Sequence, residues 1–333
     1  MYPTRRRLVM AAGMAGIGGL AGCLGGNATG EANGGSAGGP VARSSFFVFD
    51  GITARVVGDA ATAELLVPVG QHGHGWEPGP RIREEIRGAD LFVHGMPGFQ
   101  PWVDDITRDL AADEGTVTAV DASAGIDLLA TGSEHDHASE AAHDDGGGGQ
   151  THDHGDGADP HFWMDPLRMQ EAVGNVRREL TALDEGAADA YAENAETFRA
   201  RLDDLHDRIA STVADGSTDT ILVAGHNAYR YLADRYGVDV VSLTNASPDD
   251  RPTARDIERA RELIDDRGLR YVCADPLESQ RAAEQLVAET DAEAIMPLTA
   301  MPGLTDEWDA NGWGYLEVME NVNCPTIERV VDA

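Results

Sequence analysis

The chain has 333 residues, of which 42% are apolar, so a folded protein of about two domains is expected rather than a disordered chain. Asp and Glu number 58 against 25 basic residues, none of them lysine, which leaves a formal net charge of -33. A surface this acidic repels itself in ordinary buffer and is typical of a halophile. It also argues against nucleic acid as a partner, because binding a polyanion needs a basic face.

Residues 1–22 have the layout of an export signal. Three arginines at 5–7 precede an apolar run at 9–20, as in twin-arginine signals, and that run is too short to be a comfortable membrane span. The following Leu-Ala-Gly-Cys resembles a lipobox, which makes Cys23 a predicted lipid anchor; the alternative is a chance cysteine in an uncut signal anchor. Residues 23–40 are rich in Gly, Asn, Ala and Ser and predict a flexible tether.

Strand and helix patterns alternate from residue 41 onward. Strands are predicted at 45–49, 63–69, 90–94 and 117–120, and helices at 81–88 and 101–112. This alternation predicts a parallel sheet with helical crossovers. His72 and His74 follow the second strand and His94 ends the third, so they are expected at the sheet edge where ligands collect in open α/β folds.

The first lobe is predicted to span 41–184, and its C-terminal part has the composition of a metal-binding segment. Its loop at 132–158 carries five histidines among Asp and Gly, namely His135, His137, His143, His152 and His154. Imidazole is the commonest ligand for metals such as zinc. In the next stretch, Asp-Pro-His-Phe-Trp-Met-Asp-Pro, two Asp-Pro corners hold His161 on a stiff backbone. The alternative is a buried structural histidine beside Trp163, with the loop as a solvated spacer.

Residues 185–214 predict one long helix. Six apolar residues at steps of four and three form a narrow seam along it: Tyr191, Ala195, Phe198, Leu202, Leu205 and Ile209. Such a helix runs about 45 Å and is long enough to brace two lobes. A core helix of one domain is the plainer interpretation of the same seam.

A second α/β lobe is predicted at 215–333. Its strands are expected at 220–224, 238–243, 271–274 and 294–296. One helix is expected to end at residue 236, and others are expected at 254–267, at 279–290 and from 314 onward. His226 lies at the carboxyl end of the first of these strands. Cys273 and Cys324 either pair as a disulfide, as an exported protein permits, or remain two buried thiols.

His74, His161 and His226 are the main metal-ligand candidates. Each follows a predicted strand or a rigid corner, they come from both lobes, and the histidine-rich loop strengthens the metal interpretation. Three imidazoles without a thiolate suit zinc better than magnesium, calcium or, more mildly, manganese. The sequence contains no phosphate-cradling glycine loop, nucleophile elbow or Cys-x-x-Cys pair.

The chain resembles a known family at this point. His-x-Trp-Glu-Pro at 74–78, the His/Asp loop, Asp-Pro-His-x-Trp-x-Asp-Pro and Gly-His-Asn-Ala-Tyr-x-Tyr at 225–231 occur in the order found in zinc-binding lipoproteins of high-affinity zinc ABC importers, in a haloarchaeal type of sequence. Residues 98–102 and 315–319 look like the same family, so the similarity covers nearly everything from 41 onward.

The resemblance implies an α/β fold of two lobes joined by one long rigid helix, with the metal in the interlobe cleft. It carries the three metal ligands onto His74, His161 and His226. The third position is usually an acid in manganese members, so His226 favours zinc. The family often adds a carboxylate after the last strand, where Ala300 stands here. Water, Asp306, His72 or His94 is therefore left as the fourth ligand.

The sequence thus predicts a monomeric, non-enzymatic protein, lipid-anchored outside the cytoplasm through Cys23, that captures Zn²⁺ for an ABC permease and its ATPase. Separation of the lobes would remove a ligand and release the ion. One alternative is a zinc hydrolase or hydratase with Glu77 as its base. A manganese-binding importer protein and a passive metal buffer or adhesin are the others.

Overall fold

The computed structural model describes residues 39–112, 115, 117–131, 157–245 and 250–332. The predicted signal, Cys23 and the five histidines between 135 and 154 lie outside these ranges, as does the tether except for its last two residues.

The first sheet is parallel, with strands in the order β2-β1-β3-β4. These strands are β1 (Val41–Ser44), β2 (Thr62–Leu65), β3 (Leu91–His94) and β4 (Thr118–Asp121). They are connected by α1 (Phe47–Val57), α2 (Pro80–Arg87) and α3 (Pro101–Ala112). The predicted α3 has the same bounds, and the predicted alternation of strands and helices is confirmed.

The strand predicted at 45–49 is wrong, because β1 ends at Ser44 and α1 begins at Phe47. Phe47, Val48 and Phe49 have high strand propensity, yet all three are at most 3% exposed. A strand turns alternate side chains to opposite faces, whereas α1 is enclosed by the first sheet and by neighbouring helices. Tertiary packing therefore overrides the local preference.

Two helices, of which the second is the long one, follow the Asp-Pro-His-Phe-Trp-Met-Asp-Pro segment. After a 3-10 turn (Phe162–Met164), α4 (Pro166–Leu183) is capped by the side chain of Asp165. A second 3-10 turn (Glu185–Ala187) leads into α5 (Ala188–Asp215), which has 28 residues. The buried residues of α5 are the six of the predicted seam. Helix α5 packs against α1 and α4 and also against the C-terminal helix α11 (Cys324–Val331), so the bridging role is confirmed.

The second sheet is also parallel, in the order β6-β5-β7-β8. Its strands are β5 (Thr220–His226), β6 (Asp239–Thr244), β7 (Tyr271–Ala274) and β8 (Ala294–Pro297). The helices are α6 (Arg230–Tyr236), α7 (Ala254–Arg267), α8 (Arg281–Glu289), α9 (Asp306–Ala310) and α10 (Tyr315–Val318), and a π-helical turn (Met319–Asn323) joins α10 to α11. The predicted fold of two parallel α/β lobes and a long helix is confirmed.

The largest hydrophobic core is continuous across both sheets. It contains Phe49 and Val93 from the first lobe, Leu202 from α5, and Val223 and Cys273 from the second. Smaller clusters lie within each lobe. The lobes therefore share buried apolar surface as well as the helix. Among the described residues, no helix has the length and apolar character needed to cross a membrane.

The disulfide considered for Cys273 and Cys324 is not formed. Both are free thiols, 0% and 3% exposed, on β7 and at the start of α11. Burial raises the pKa of the Cys273 thiol to about 12 and of the Cys324 thiol to about 11, so both stay protonated and unreactive. Their role in the structure is to fill the core.

Candidate metal site

Three histidine rings meet between the two sheets. His74 lies in the loop after β2, His161 directly before the first 3-10 turn, and His226 at the end of β5. The ring centroid of His161 is 5.4 Å from that of His74 and 5.3 Å from that of His226, and the third separation is 6.2 Å. The structure thus brings together the three candidates that the sequence singled out.

The closest approach in this cluster matches zinc geometry. Nε2 of His161 lies 3.4 Å from Nε2 of His226. Zinc–nitrogen bonds of about 2.0–2.1 Å at a tetrahedral angle place two ligand nitrogens about 3.3–3.4 Å apart. Within the described ranges, no three His, Cys, Asp or Glu side chains meet the spacing needed to hold a metal ion as they stand. The ring centroids of His74 and His226 are the most widely separated pair of the three, at 6.2 Å.

Asp159 fixes the ring of His161. Its Oδ1 accepts a hydrogen bond from the backbone N–H of His161 at 3.0 Å and lies 2.8 Å from Nδ1 of the ring. Both side chains are fully buried. A proton on Nδ1 that is held by the carboxylate leaves the Nε2 lone pair directed at His226, as in carboxylate–histidine–zinc arrangements. The first Asp-Pro corner therefore positions His161 through its side chain as well as its backbone.

The segment that carries His161 is attached to the second lobe. The hydroxyl of Tyr231, on α6, donates to the backbone carbonyl of Asp159 at 2.6 Å. The guanidinium of Arg235, also on α6, donates to Oδ2 of Asp165 at 2.6 and 2.8 Å. Although the sequence places this segment in the first lobe, both of its ends are bonded to α6.

The middle of the same segment is bonded to residues that follow β8. Nε1 of Trp163 donates to the carbonyl of Ala300 at 2.9 Å, and the hydroxyl of Tyr315 donates to the carbonyl of Trp163 at 2.7 Å. The buried carboxylate of Asp275 accepts from the backbone N–H of Ala300 at 2.9 Å. Ala300, where the resemblance led us to expect a ligand carboxylate, thus contributes backbone contacts instead.

Glu278 supports His226, and sequence reasoning missed it. Oε1 of Glu278 lies 2.8 Å from Nδ1 of His226 and 3.6 Å from Nε2 of His72. Burial alone would raise the pKa of Glu278, but the imidazoles of His226 and His72 beside its carboxylate outweigh burial and hold that pKa at about 2. Glu278 follows β7, the neighbour of β5, so its place after a central parallel strand was the available signal.

His74 is held by aromatic neighbours and by its backbone. The rings of Phe46 and Phe99 meet its imidazole edge to face, with centroids 5.4 and 4.6 Å away. The adjacent Gly73 donates its N–H to the carbonyl of Pro302 at 2.7 Å. A Cβ at Gly73 would lie 2.6 Å from the Phe46 ring and 3.0 Å from that carbonyl, so the close approach requires glycine.

The environment of the site keeps two of the imidazoles neutral. Burial, followed by the charges of His161, His72 and His226, lowers the pKa of His74 well below its ordinary value. Burial also lowers the pKa of His161, and its interaction with Asp159 offsets only part of that change. A neutral imidazole has a free lone pair, so both rings can bind a metal at neutral pH.

Residues 43–329 match the family described as zinc-uptake complex component A, periplasmic, or ZnuA. The chain belongs to the ZnuA family. It is 29% identical over 277 residues to the high-affinity zinc uptake system protein ZnuA of Bacillus subtilis, and the match covers 83% of each chain. It is 28% identical to the zinc-binding lipoprotein AdcA of Streptococcus pneumoniae over 289 residues, which are 87% of this chain but 55% of AdcA. The chain therefore spans about half the length of that relative.

Solved structures show the same architecture. The Zn(II)-bound ZnuA-like domain of Streptococcus pneumoniae AdcA superposes with a TM-score of 0.72 at 26% identity, covering 89% of this chain and all of that one. The metal-dependent lipoprotein YcdH of Bacillus subtilis gives a TM-score of 0.69 at 24% identity, which supports the fold alone. The ZnuA-type arrangement of two lobes on a long helix is thus shared.

The candidates for a fourth ligand in this ZnuA-family chain lie in different surroundings. His94 has its Nδ1 2.7 Å from the carbonyl of Gly95, and Asp306 is an exposed residue at the start of α9. Glu77, considered as a catalytic base, is also exposed. His72 does adjoin the cluster, with its ring centroid 5.3 Å from that of His74. Of the sequence candidates for a fourth group, His72 is therefore the one with a contact to the three histidines.

Proposed function

We propose that this protein captures Zn²⁺ outside the cytoplasm and delivers it to an ABC importer, through a primary site formed by His74, His161 and His226. The observation that carries the proposal is the pair of facing Nε2 atoms of His161 and His226, each with its Nδ1 beside a carboxylate. Paired imidazoles fixed in this way supply two preoriented ligands for a borderline metal such as zinc, and His74 supplies the third. Kinship with zinc-uptake proteins supports the same cargo.

The donor set favours zinc transport over the alternatives. Three imidazoles without a thiolate suit zinc better than manganese, whose sites are richer in oxygen ligands. A zinc hydrolase would need a general base beside the bound water. Glu77 is exposed, and Glu278 lies beside Nδ1 of His226. A passive buffer would need neither the lobes nor a site between them.

Release of the ion is proposed to begin at His74. His161 is bonded to α6 of the second lobe through Asp159 and Tyr231, so His161 and His226 stay together when the lobes shift. The loop of His74 is bonded to the second lobe through two backbone hydrogen bonds. The N–H of Gly70 donates to the carbonyl of Leu304, and the N–H of Gly73 donates to the carbonyl of Pro302. Breaking those two bonds withdraws one imidazole and lowers the affinity.

The proposal also covers the export, anchoring and location of the protein. We place it on the outer face of a halophile's membrane, exported by the twin-arginine route, anchored by lipid at Cys23 and acting as a monomer with a permease and an ATPase. The twin-arginine motif, the lipobox and the acidic, lysine-free composition support this setting. The AdcA relative is itself described as a lipoprotein.

Uptake of radiolabelled zinc by cells lacking the protein tests this function. Under zinc limitation, uptake should fall, return with the parent chain, and stay low with His161→Ala expressed at the same level. His206→Ala is the matched control and should restore uptake, because His206 lies on α5 with its Nδ1 3.2 Å from the Tyr236 hydroxyl. Normal zinc uptake without the protein, or full rescue by His161→Ala, would refute the proposal.

A further inference from the structure

A cavity of about 760 Å³ opens beside the three-histidine cluster. Its wall includes His226 together with His72, Trp76, Arg251 and Glu278. An ion arriving from solvent through this cavity therefore meets His72 and Glu278 next to the primary site. Neither residue is among the three ligands assigned above.

His72 and Glu278 present two polar atoms that lack a satisfactory partner. Nε2 of His72 and Oε1 of Glu278 are both buried, and neither makes a hydrogen bond of good geometry. Oε1 lies 2.8 Å from Nδ1 of His226, but this approach does not meet hydrogen-bond geometry. Buried polar atoms are normally satisfied, so two such atoms facing each other require an explanation.

The spacing of these two atoms fits a metal ion. They lie 3.6 Å apart. Zinc binds imidazole nitrogen and carboxylate oxygen at about 2.0–2.2 Å, which at a tetrahedral angle separates the two donors by about 3.4 Å. Two protein ligands, with water from the cavity in the remaining positions, would hold the ion weakly enough for it to move on.

We propose that His72 and Glu278 form a transient capture site, through which Zn²⁺ passes from the cavity to His74, His161 and His226. This inference rests on the proposed function. The transfer is a short exchange of ligands, because the His72 ring centroid is 5.3 Å from that of His74 and Oε1 of Glu278 is 2.8 Å from the His226 ring. Once the ion has moved, Glu278 is again free to contact Nδ1 of His226, which favours onward transfer.

Stopped-flow zinc binding distinguishes capture from a structural role. We compare the full-length parent, His72→Gln and the control His206→Gln at high salt, measuring association with zinc and dissociation into excess chelator. A site on the path speeds passage in both directions, so His72→Gln should slow association and dissociation by a similar factor of about tenfold. The control should keep the parental rates. The histidine-rich loop is common to all three chains and does not bias the comparison.

Three other results of the stopped-flow experiment would contradict the capture site, its assignment or the proposed function. Parental rates in a folded His72→Gln chain would overturn the capture site. Faster dissociation with a dissociation constant more than about 100-fold higher would make His72 a primary ligand instead. Failure of the parent to bind zinc tightly would refute the proposed function rather than this inference.

Glu278→Gln provides a second variant that keeps the shape of the side chain. It removes the charged ligand oxygen from the capture site and the carboxylate from His226, so it should slow association and also weaken equilibrium binding. Association at the parental rate in Glu278→Gln would contradict the proposal independently of how His72→Gln folds.

Discussion

Asp159 and Glu278 each place a carboxylate beside Nδ1 of a histidine whose Nε2 faces the cluster. Strand ends and an Asp-Pro corner were enough to predict the positions of His161 and His226 from the sequence. Glu278 was missed because it lies four residues beyond the end of β7, in the following turn, rather than directly at the strand end. That turn is held by Asp275, whose backbone carbonyl accepts from the N–H of Glu278 at 3.0 Å.

The buried histidines predict a pH dependence for the metal-free protein. Because the pKa values of His74 and His161 are lowered in the folded state, the unfolded chain binds more protons as the pH falls below about 6.5. The stability that these two residues contribute is complete above that pH and is lost progressively below it. Burial raises the folded pKa of Asp50 to about 7 and of Asp275 to about 6, and these two carboxyls act in the opposite direction. The contribution of the histidines is therefore measured by comparing denaturant unfolding of the parent and of a histidine variant at pH 8 and pH 5.5, in high salt.

The matched variant for this pH experiment is His161→Gln, which should reduce the difference between the two midpoints. The same pH dependence of the midpoint in metal-free parent and His161→Gln would contradict the burial of a neutral imidazole at this position. Glu278 contributes in the same direction at lower pH, since its folded pKa of about 2 lies below its ordinary value.

At the scale of secondary structure, periodicity predicted best where one face of an element is buried. The apolar seam of α5 identified all six residues that the structure buries, because a helix exposed on its other face shows its 3.6-residue repeat in the sequence. The beginning of α1 was missed for the opposite reason. Residues buried on all sides carry no periodic signal, and the local propensity of Phe47, Val48 and Phe49 predicts a strand instead.

Helix α5 should contribute to the stability of both lobes together. Leu202 is fully buried in the core that both sheets share. Leu202→Ala should destabilise the protein by about 2–5 kcal/mol, from the lost transfer energy and the cavity left behind. Denaturant titrations that follow tryptophan fluorescence and circular dichroism should still give coincident transitions, at a lower midpoint.

Asp204→Ala, on the exposed face of the same helix, is the control and should change stability by less than about 0.5 kcal/mol. If Leu202→Ala produced two separated transitions instead, the lobes would unfold independently, and the continuous core would not couple them.

At the scale of the whole molecule, the three candidate histidines lie on segments with different attachments to the two lobes. Motif order and resemblance predicted the two lobes, the long helix and the three histidines. The attachment of residues 159–166 to α6 could not be predicted, because Tyr231 and Arg235 are distant in sequence from their partners Asp159 and Asp165. Because of these contacts, we propose that the ligand removed when the lobes separate is His74.

We propose above all that one zinc ion is held between the sheets by His74, His161 and His226. Competition with a chelator at high salt and constant pH measures it directly, by comparing the zinc dissociation constants of the three single alanine variants with that of the parent. Each variant should bind more than about 100-fold more weakly, since loss of a direct ligand exceeds the 10–100-fold cost typical of an outer partner. His94→Ala should bind like the parent. Parental affinity in His226→Ala together with loss of affinity in His94→Ala would place the metal within the first lobe and contradict the account.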